Sequence, residues 1–211
     1  MFCLRVSTDA AWAEVAVRHL DHVLVDHAHC EMKAATNALS LAVRHPADLA
    51  LVRALTALAQ EELEHFDQVV QFLARRGLPL GTPPVDDYAA ELRKATRALP
   101  QTDLPPAVDR LLVGALIEAR SCERFKILLE HLPSSVDDEL RHFYRDLFEA
   151  EARHYSTYVD LAIEAARASA ARDEVASVEA RVRARLEAVA DAEGRIVTAL
   201  ARRGERASVH G

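Results

Sequence analysis

The chain has 211 residues, half of them apolar, with only 6 Gly and 8 Pro and a formal net charge of −7. That length supports one domain with a substantial core, and a composition rich in Ala, Leu, Glu and Arg favours helix over sheet. The acidic balance excludes a broad non-specific nucleic-acid surface, though not a local basic patch, and three cysteines without a C-x-x-C spacing exclude a disulfide framework or zinc knuckle. No apolar run approaches the ~18–20 residues that span a bilayer, and the opening residues lack the pattern of a signal peptide. A single all-α domain over 1–211, cytoplasmic and not associated with a membrane, is the expectation.

The first core helix is predicted over about 10–45, capped near Ser7 to Asp9. Its stripe is Leu20, Leu24, Ala28, Glu31, Ala35, Ala38 and Ala42, and it ends at His45-Pro46. The second, about 47–76, carries Leu51, Leu55, Leu58, Glu62, His65, Val69 and Phe72 before Gly77, so the two form an antiparallel hairpin. Six of the eight prolines fall in 77–106, which makes that stretch a crossover, interrupted by a short amphipathic helix near Val85 to Leu99. The third core helix, about 107–131, carries Leu111, Ala115, Glu118, Cys122, Phe125 and Leu129. After "HLPSSVDDEL", where Ser135 and Asp138 have capping-box spacing, the fourth covers about 136–166 with Leu140, Tyr144, Leu147, Glu151, His154, Tyr158 and Leu161. A last helix over about 173–200 follows Val175, Val178, Val182, Leu186 and Val189. Two hairpins joined by one long crossover describe a ferritin-like four-helix bundle with an additional C-terminal helix.

The chemistry lies on the apolar stripes. In "EELEHF" Glu62 and His65 are i and i+3, and in "EAEARHY" Glu151 and His154 repeat the spacing, so each carboxylate and imidazole share a helix face and can bind one ion. A single such pair is a weak signal; two on buried stripes in corresponding halves are strong. Four buried carboxylates without a cation would repel one another in low dielectric, and two divalent metal ions remove that cost. Oxygen-rich ligation with one imidazole per ion suits iron or manganese. Glu31, about as far before its helix end as Glu62 is after its helix start, is the partner from helix one. On helix three, "CE" matched to "CE" selects Glu123, whereas depth selects Glu118. Glu118 is preferred, with Glu123 kept as the alternative ligand or as a hydrogen-bond partner behind one. His27 and His29 flank Glu31 as weaker candidates, Asp26 is a candidate hydrogen-bond partner for a ligand imidazole, and Cys30 and Cys122 read as small buried residues.

"LVDHAHCEMKAA", "EELEHFDQVVQFLARRG", "GALIEARSCERF" and "EARHYSTYVDLA", in this order, resemble the bacterial tRNA hydroxylases of the 2-methylthio-N6-isopentenyladenosine type, from about Trp12 to Ala162. The resemblance implies a non-haem di-iron monooxygenase with two Fe ions, hydroxylating the isopentenyl group on adenosine 37 in the tRNA anticodon loop. It also implies dioxygen as co-substrate. Because no flavin or nicotinamide motif is present, an external electron donor is expected, a ferredoxin or other reductase. For tRNA the crossover cluster Arg75, Arg76, Arg93, Lys94 and Arg97 is preferred over Arg172, Arg181, Arg183 and Arg185. An iron-storage or peroxide-reducing protein on the same scaffold is the alternative, although the four-cysteine module that usually accompanies peroxide reduction is absent.

Overall fold

The computed structural model describes residues 2–83, 87–172, 174–202 and 209. Among them are seven helices and no strand: α1 Ala10–Arg18, α2 Leu20–Arg44, α3 Leu49–Arg75, α4 Asp87–Ala98, α5 Pro106–His131, α6 Asp138–Ser169 and α7 Val175–Ala201. Hairpins α2/α3 and α5/α6 form the bundle, α3 meets α6 across it, and α4 and α7 pack on one another and on α5. The crossover is built as expected around one short helix. Its predicted start at Val85, the boundary at Asp173 and the tail from 203, apart from Val209, lie outside the described residues.

Local chemistry sets the helix ends. Asp9 and Asp48 accept backbone N–H groups of Ala11 and Leu51, and Pro106 occupies the first position of α5, where no donor is needed. At the end of α3, Gly77 takes φ 66°, and the N–H groups of Leu78 and Gly77 reach back to the carbonyls of Leu73 and Ala74. This 6→1, 5→2 pairing satisfies two carbonyls that the helix leaves open. Two expectations are corrected. The first core helix is broken at His19 (φ −119°, ψ 40°), because α1 turns aside to bury Trp12, Ala13 and Ala16 against α5 and α2. The cap of α6 is Asp137, which accepts from Glu139 and Leu140, whereas Ser135 lies inside a turn closed by Val136 N–H on the Pro133 carbonyl.

Two apolar clusters divide the bundle along its length. One contains Leu55, Leu58, Leu111, Leu112, Ala162 and the α4 and α7 residues Tyr88, Leu92, Val182 and Val189. The other contains Leu24, Phe72, Phe125, Phe143, Leu147 and Trp12 of α1. Each fully buried Leu or Phe contributes about 1.5–3 kcal/mol, so both ends are held by apolar burial and the polar level between them is carried by that framework.

The added helices are locked by a buried ion network absent from the sequence reading. Arg120 is fully buried; it donates Nε and Nη2 to Glu193 of α7 at 2.8–3.0 Å and Nη1 to Thr8 and Glu123, while Nη2 also reaches the Val6 carbonyl. Tyr88 of α4 donates its hydroxyl to Glu193 at 3.1 Å. One guanidinium thus joins the N-terminal segment, α4, α5 and α7, with every donor direction used. Arg120→Ala leaves the fully buried Glu193 without its cation, and the expected loss is about 3–5 kcal/mol, read from urea unfolding.

Candidate metal centre

Four helices place the predicted residues at one level. Glu31 comes from α2, Glu62 and His65 from α3, Glu118 from α5, and Glu151 and His154 from α6. Glu62, Glu151 and His154 are each only 2 % exposed. Their ligand atoms gather in two overlapping groups, Glu31, Glu62, His65 and Glu151, and Glu62, Glu118, Glu151 and His154, with atoms in each within 4.8 Å of one another. Glu62 and Glu151 belong to both groups. Glu62 shows this directly: one oxygen lies 3.0 Å from His154 Nδ1 and the other 3.5 Å from His65 Nδ1.

These groups converge without bonding each other. Both Glu62 oxygens, Glu151 Oε2, His65 Nδ1 and His154 Nδ1 are buried with no hydrogen-bond partner of acceptable geometry, despite their closeness. Unsatisfied buried polar atoms cost about 1–3 kcal/mol each, more when charged, and a converging set of lone pairs is the donor set a cation requires. The residues therefore fit a pair of metal ions.

The protonation tendencies carry the same message. Burial, reinforced by Glu31, raises Glu62 to about 7, and burial with Glu118 and Glu62 beside it raises Glu151 well above the usual carboxylate range. Burial would raise Glu31 as well, but the hydrogen bond from His27 and the nearby His65 imidazole hold it well below its ordinary value. Burial opposes charge on the imidazoles too, yet Glu31 and Glu62 lift His65 to about 10, and Glu62 lifts His154 to about 9. Beyond burial, the neighbouring carboxylates push Glu62, Glu151 and both imidazoles toward their protonated forms.

The surroundings orient this set. His27 donates Nε2–H to Glu31 at 2.7 Å from inside an aromatic box of Phe125, Phe143 and Tyr144. His154 donates Nε2–H to Glu61 at 3.1 Å, which leaves Nδ1 turned inward. Glu61 was missed in the sequence, although it adjoins Glu62 in "EELEHF". The candidates five residues from a cluster carboxylate point elsewhere, since five residues turn a helix by about 140° from the starting face. Glu123 accepts from Thr8 and Arg120, and Asp26 accepts from the Val209 backbone N–H and the Cys30 thiol, not from a ligand imidazole. His29 donates to the Leu80 carbonyl and so pins the crossover onto α2. Arg75 and Arg76 are spent on Glu139 and Asp21, and Arg181, Arg183 and Arg185 pair with Asp103, Glu179 and Asp109.

A cavity of about 220 Å³ opens beside the carboxylates, walled by Ala34, Ala89, Gly114, Ile117 and Tyr158. Gly114 is required by the close approach of α6: a Cβ there would lie 2.9 Å from Tyr158 Cε1.

A bundle of two hairpins with this cluster at mid-length is a ferritin-like protein whose carboxylates and imidazoles are compatible with a di-iron centre. The family described as tRNA-(MS[2]IO[6]A)-hydroxylase (MiaE) matches residues 1–202, and the chain belongs to it. The match takes in α7, beyond the stretch over which the sequence motifs are recognisable. Two relatives are named tRNA 2-(methylsulfanyl)-N(6)-isopentenyladenosine(37) hydroxylase. The one from Pseudomonas putida is 46% identical, covering 74% of this chain and 72% of its own, and the one from Salmonella typhimurium is 31% identical over 75% and 74%. Among solved structures, a Synechococcus protein described as having aldehyde deformylating oxygenase activity superposes with a TM-score of 0.81 at 37% identity, covering 100% of this chain and 96% of that one. The chain is thus an enzyme of a hydroxylase family. Among the described residues no helix is long and apolar enough to cross a membrane.

Gly114→Ala gains up to about 1 kcal/mol of helix propensity but forces the Tyr158 ring aside at a cost of about 1–3 kcal/mol. A net loss of about 1 kcal/mol is expected in urea unfolding.

Proposed function

We propose that the chain hydroxylates the isopentenyl group of 2-methylthio-N6-isopentenyladenosine at position 37 of tRNA, with two iron ions held by Glu31, Glu62, His65, Glu118, Glu151 and His154. The observation that carries this reading is the convergence of buried, unpartnered ligand atoms in two groups sharing Glu62 and Glu151. Glu62 and Glu151, common to both groups, would be shared between the two ions, with Glu31 and His65 holding one and Glu118 and His154 the other. When bound, the iron pair would supply activation of dioxygen with two external electrons and two protons from solvent, so that one oxygen atom enters an allylic C–H bond and the other leaves as water.

The rest is the protein's work. The His27 hydrogen bond keeps Glu31 charged and oriented, and Glu61 fixes the His154 ring with Nδ1 toward the ions. Ala34, Ala89, Gly114 and Ile117 give the cavity apolar walls that take a branched hydrocarbon and limit water. Its ~220 Å³ is below the ~300–1,000 Å³ of pockets that enclose a drug-sized ligand, so it takes the prenyl chain with the base at its mouth. A ferredoxin or other reductase supplies the electrons, and the substrate nucleoside is presented by the anticodon loop, whose bases can splay outward.

Metal analysis with nucleoside mass spectrometry of tRNA, from cells with and without the gene, tests this. The expected result is two irons per chain and loss of the hydroxylated prenyl-adenosine on deletion; iron without that loss overturns the tRNA reading. An aldehyde offered to the same preparation discriminates the activity named for the Synechococcus relative. Glu151→Ala is expected to hold fewer than two irons and to lose hydroxylation by ~100-fold or more. Retention of two irons overturns the ligand set.

A further inference from the structure

The cavity beside the carboxylates continues outward. Asn37 and Arg93 line it and also line a second chamber of about 340 Å³, bounded by Thr96 and Arg97 of α4, the 101–105 segment, Arg110 of α5 and Arg185 of α7. Asn37 and Arg93 therefore form the waist of a passage from the surface to the metal centre. Together the two chambers fall within the size of pockets that enclose a nucleoside-sized ligand.

The outer chamber gathers positive charge from two helices. Arg93 and Arg97, one turn apart on α4, and Arg110 on α5 all line it, and Arg110 lies near enough to Arg93, Arg97 and Arg44, at the end of α2, to be repelled by each. All four are exposed, and none has a carboxylate within ion-pair distance among the described residues. The acid in the chamber wall, Asp109, is taken by Arg185 through two hydrogen bonds of 2.7 and 2.8 Å. Several other surface arginines are matched to acids, as in Arg76 with Asp21, Arg167 with Glu164 and Arg183 with Glu179. In a chain of net charge −7, four unmatched guanidinium groups from three helices at one opening lack an anionic partner.

We propose that this opening is the RNA entrance: Arg44, Arg93, Arg97 and Arg110 clamp the phosphates flanking the modified nucleotide, while its base passes Asn37 toward the inner cavity. This rests on the reading of the chain as a tRNA hydroxylase. The Arg93–Arg97 spacing of about 6 Å along α4 presents two forks to successive points of a sugar–phosphate strand. Arg44 and Arg110 approach from the other two helices. A compact cluster suffices because the target is one splayed nucleotide, which reconciles RNA binding with an acidic chain. The acidic surface of an electron donor is the competing occupant; continuity of the arginine-lined chamber with the substrate cavity favours RNA, since electrons need no open passage.

Fluorescence anisotropy of a prenylated anticodon stem-loop on the full-length, iron-loaded protein tests the proposal over a series of salt concentrations. Arg97→Ala/Arg110→Ala is expected to weaken binding ~10-fold or more, and to reduce the slope of log affinity against log salt by about 1.4 for two lost phosphate contacts. The Arg97→Lys/Arg110→Lys pair keeps most of the slope, because a lysine still neutralises a phosphate. Arg75→Ala/Arg76→Ala, at the opposite end of α3, changes neither value. Unchanged affinity and slope in the Arg97/Arg110 alanine pair, with hydroxylation of the stem-loop by the parent protein intact, overturns the clamp alone. A parent protein that neither binds nor hydroxylates the stem-loop overturns the tRNA reading as well. Unimpaired RNA binding with slowed reduction by the electron donor identifies the cluster as the donor's dock and also overturns the proposal.

Discussion

Four buried carboxylates at one level of a helical bundle are the constraint on which the rest of this protein depends. Glu31, Glu62, Glu118 and Glu151 come from four different helices, and in low dielectric their mutual repulsion works against the packing that unites them. Two imidazoles provide part of the compensation, and the unbonded lone pairs mark where cations would complete it. The fold answers with apolar clusters on both sides of the polar level, so that the four helices are held together at positions where burial is favourable.

The additional helices give this bundle its access route. α4, set into the crossover and tied to α7 and α5 through Tyr88, Glu193 and Arg120, covers one side of the site with Ala89 and Arg93. A buried arginine with all its donors used is an expensive anchor, and it holds in place the helix that carries the outer arginines. The same helix thus contributes apolar wall, waist and charge. Arg93 and Arg97 on this helix stand with Arg110 around the outer chamber, where the acid in the wall, Asp109, is already held by Arg185.

Errors in reading the chain share one geometry. Glu123 and Asp26 lie five residues from Glu118 and Glu31, close in sequence but turned away from the site. The repeated Cys-Glu pair does not mark equivalent positions: Glu31 lies in the carboxylate cluster, whereas on α5 that place is taken by Glu118, four residues before Cys122. The basic crossover cluster likewise split: Arg75 and Arg76 are neutralised at one end, while Arg93 and Arg97 join Arg44 and Arg110, two arginines that no local pattern connects to them.

The sequence by itself determined the helices, their order and most of their ends, because periodicity, Asp caps, Pro106 and Gly77 act within a turn or two of chain. It also determined the two Glu-x-x-His pairs, whose spacing is intrinsic to a helix face. Only the tertiary structure brought Glu118 into the carboxylate cluster and turned Glu123 to Arg120, broke the first core helix at His19, paired Glu61 with His154, joined Arg120 to Glu193, and gathered Arg93, Arg97 and Arg110 around one chamber. The reason is physical: those contacts link residues from a few turns to more than a hundred positions apart, and their geometry is set by how helices cross and rotate, which no local spacing encodes.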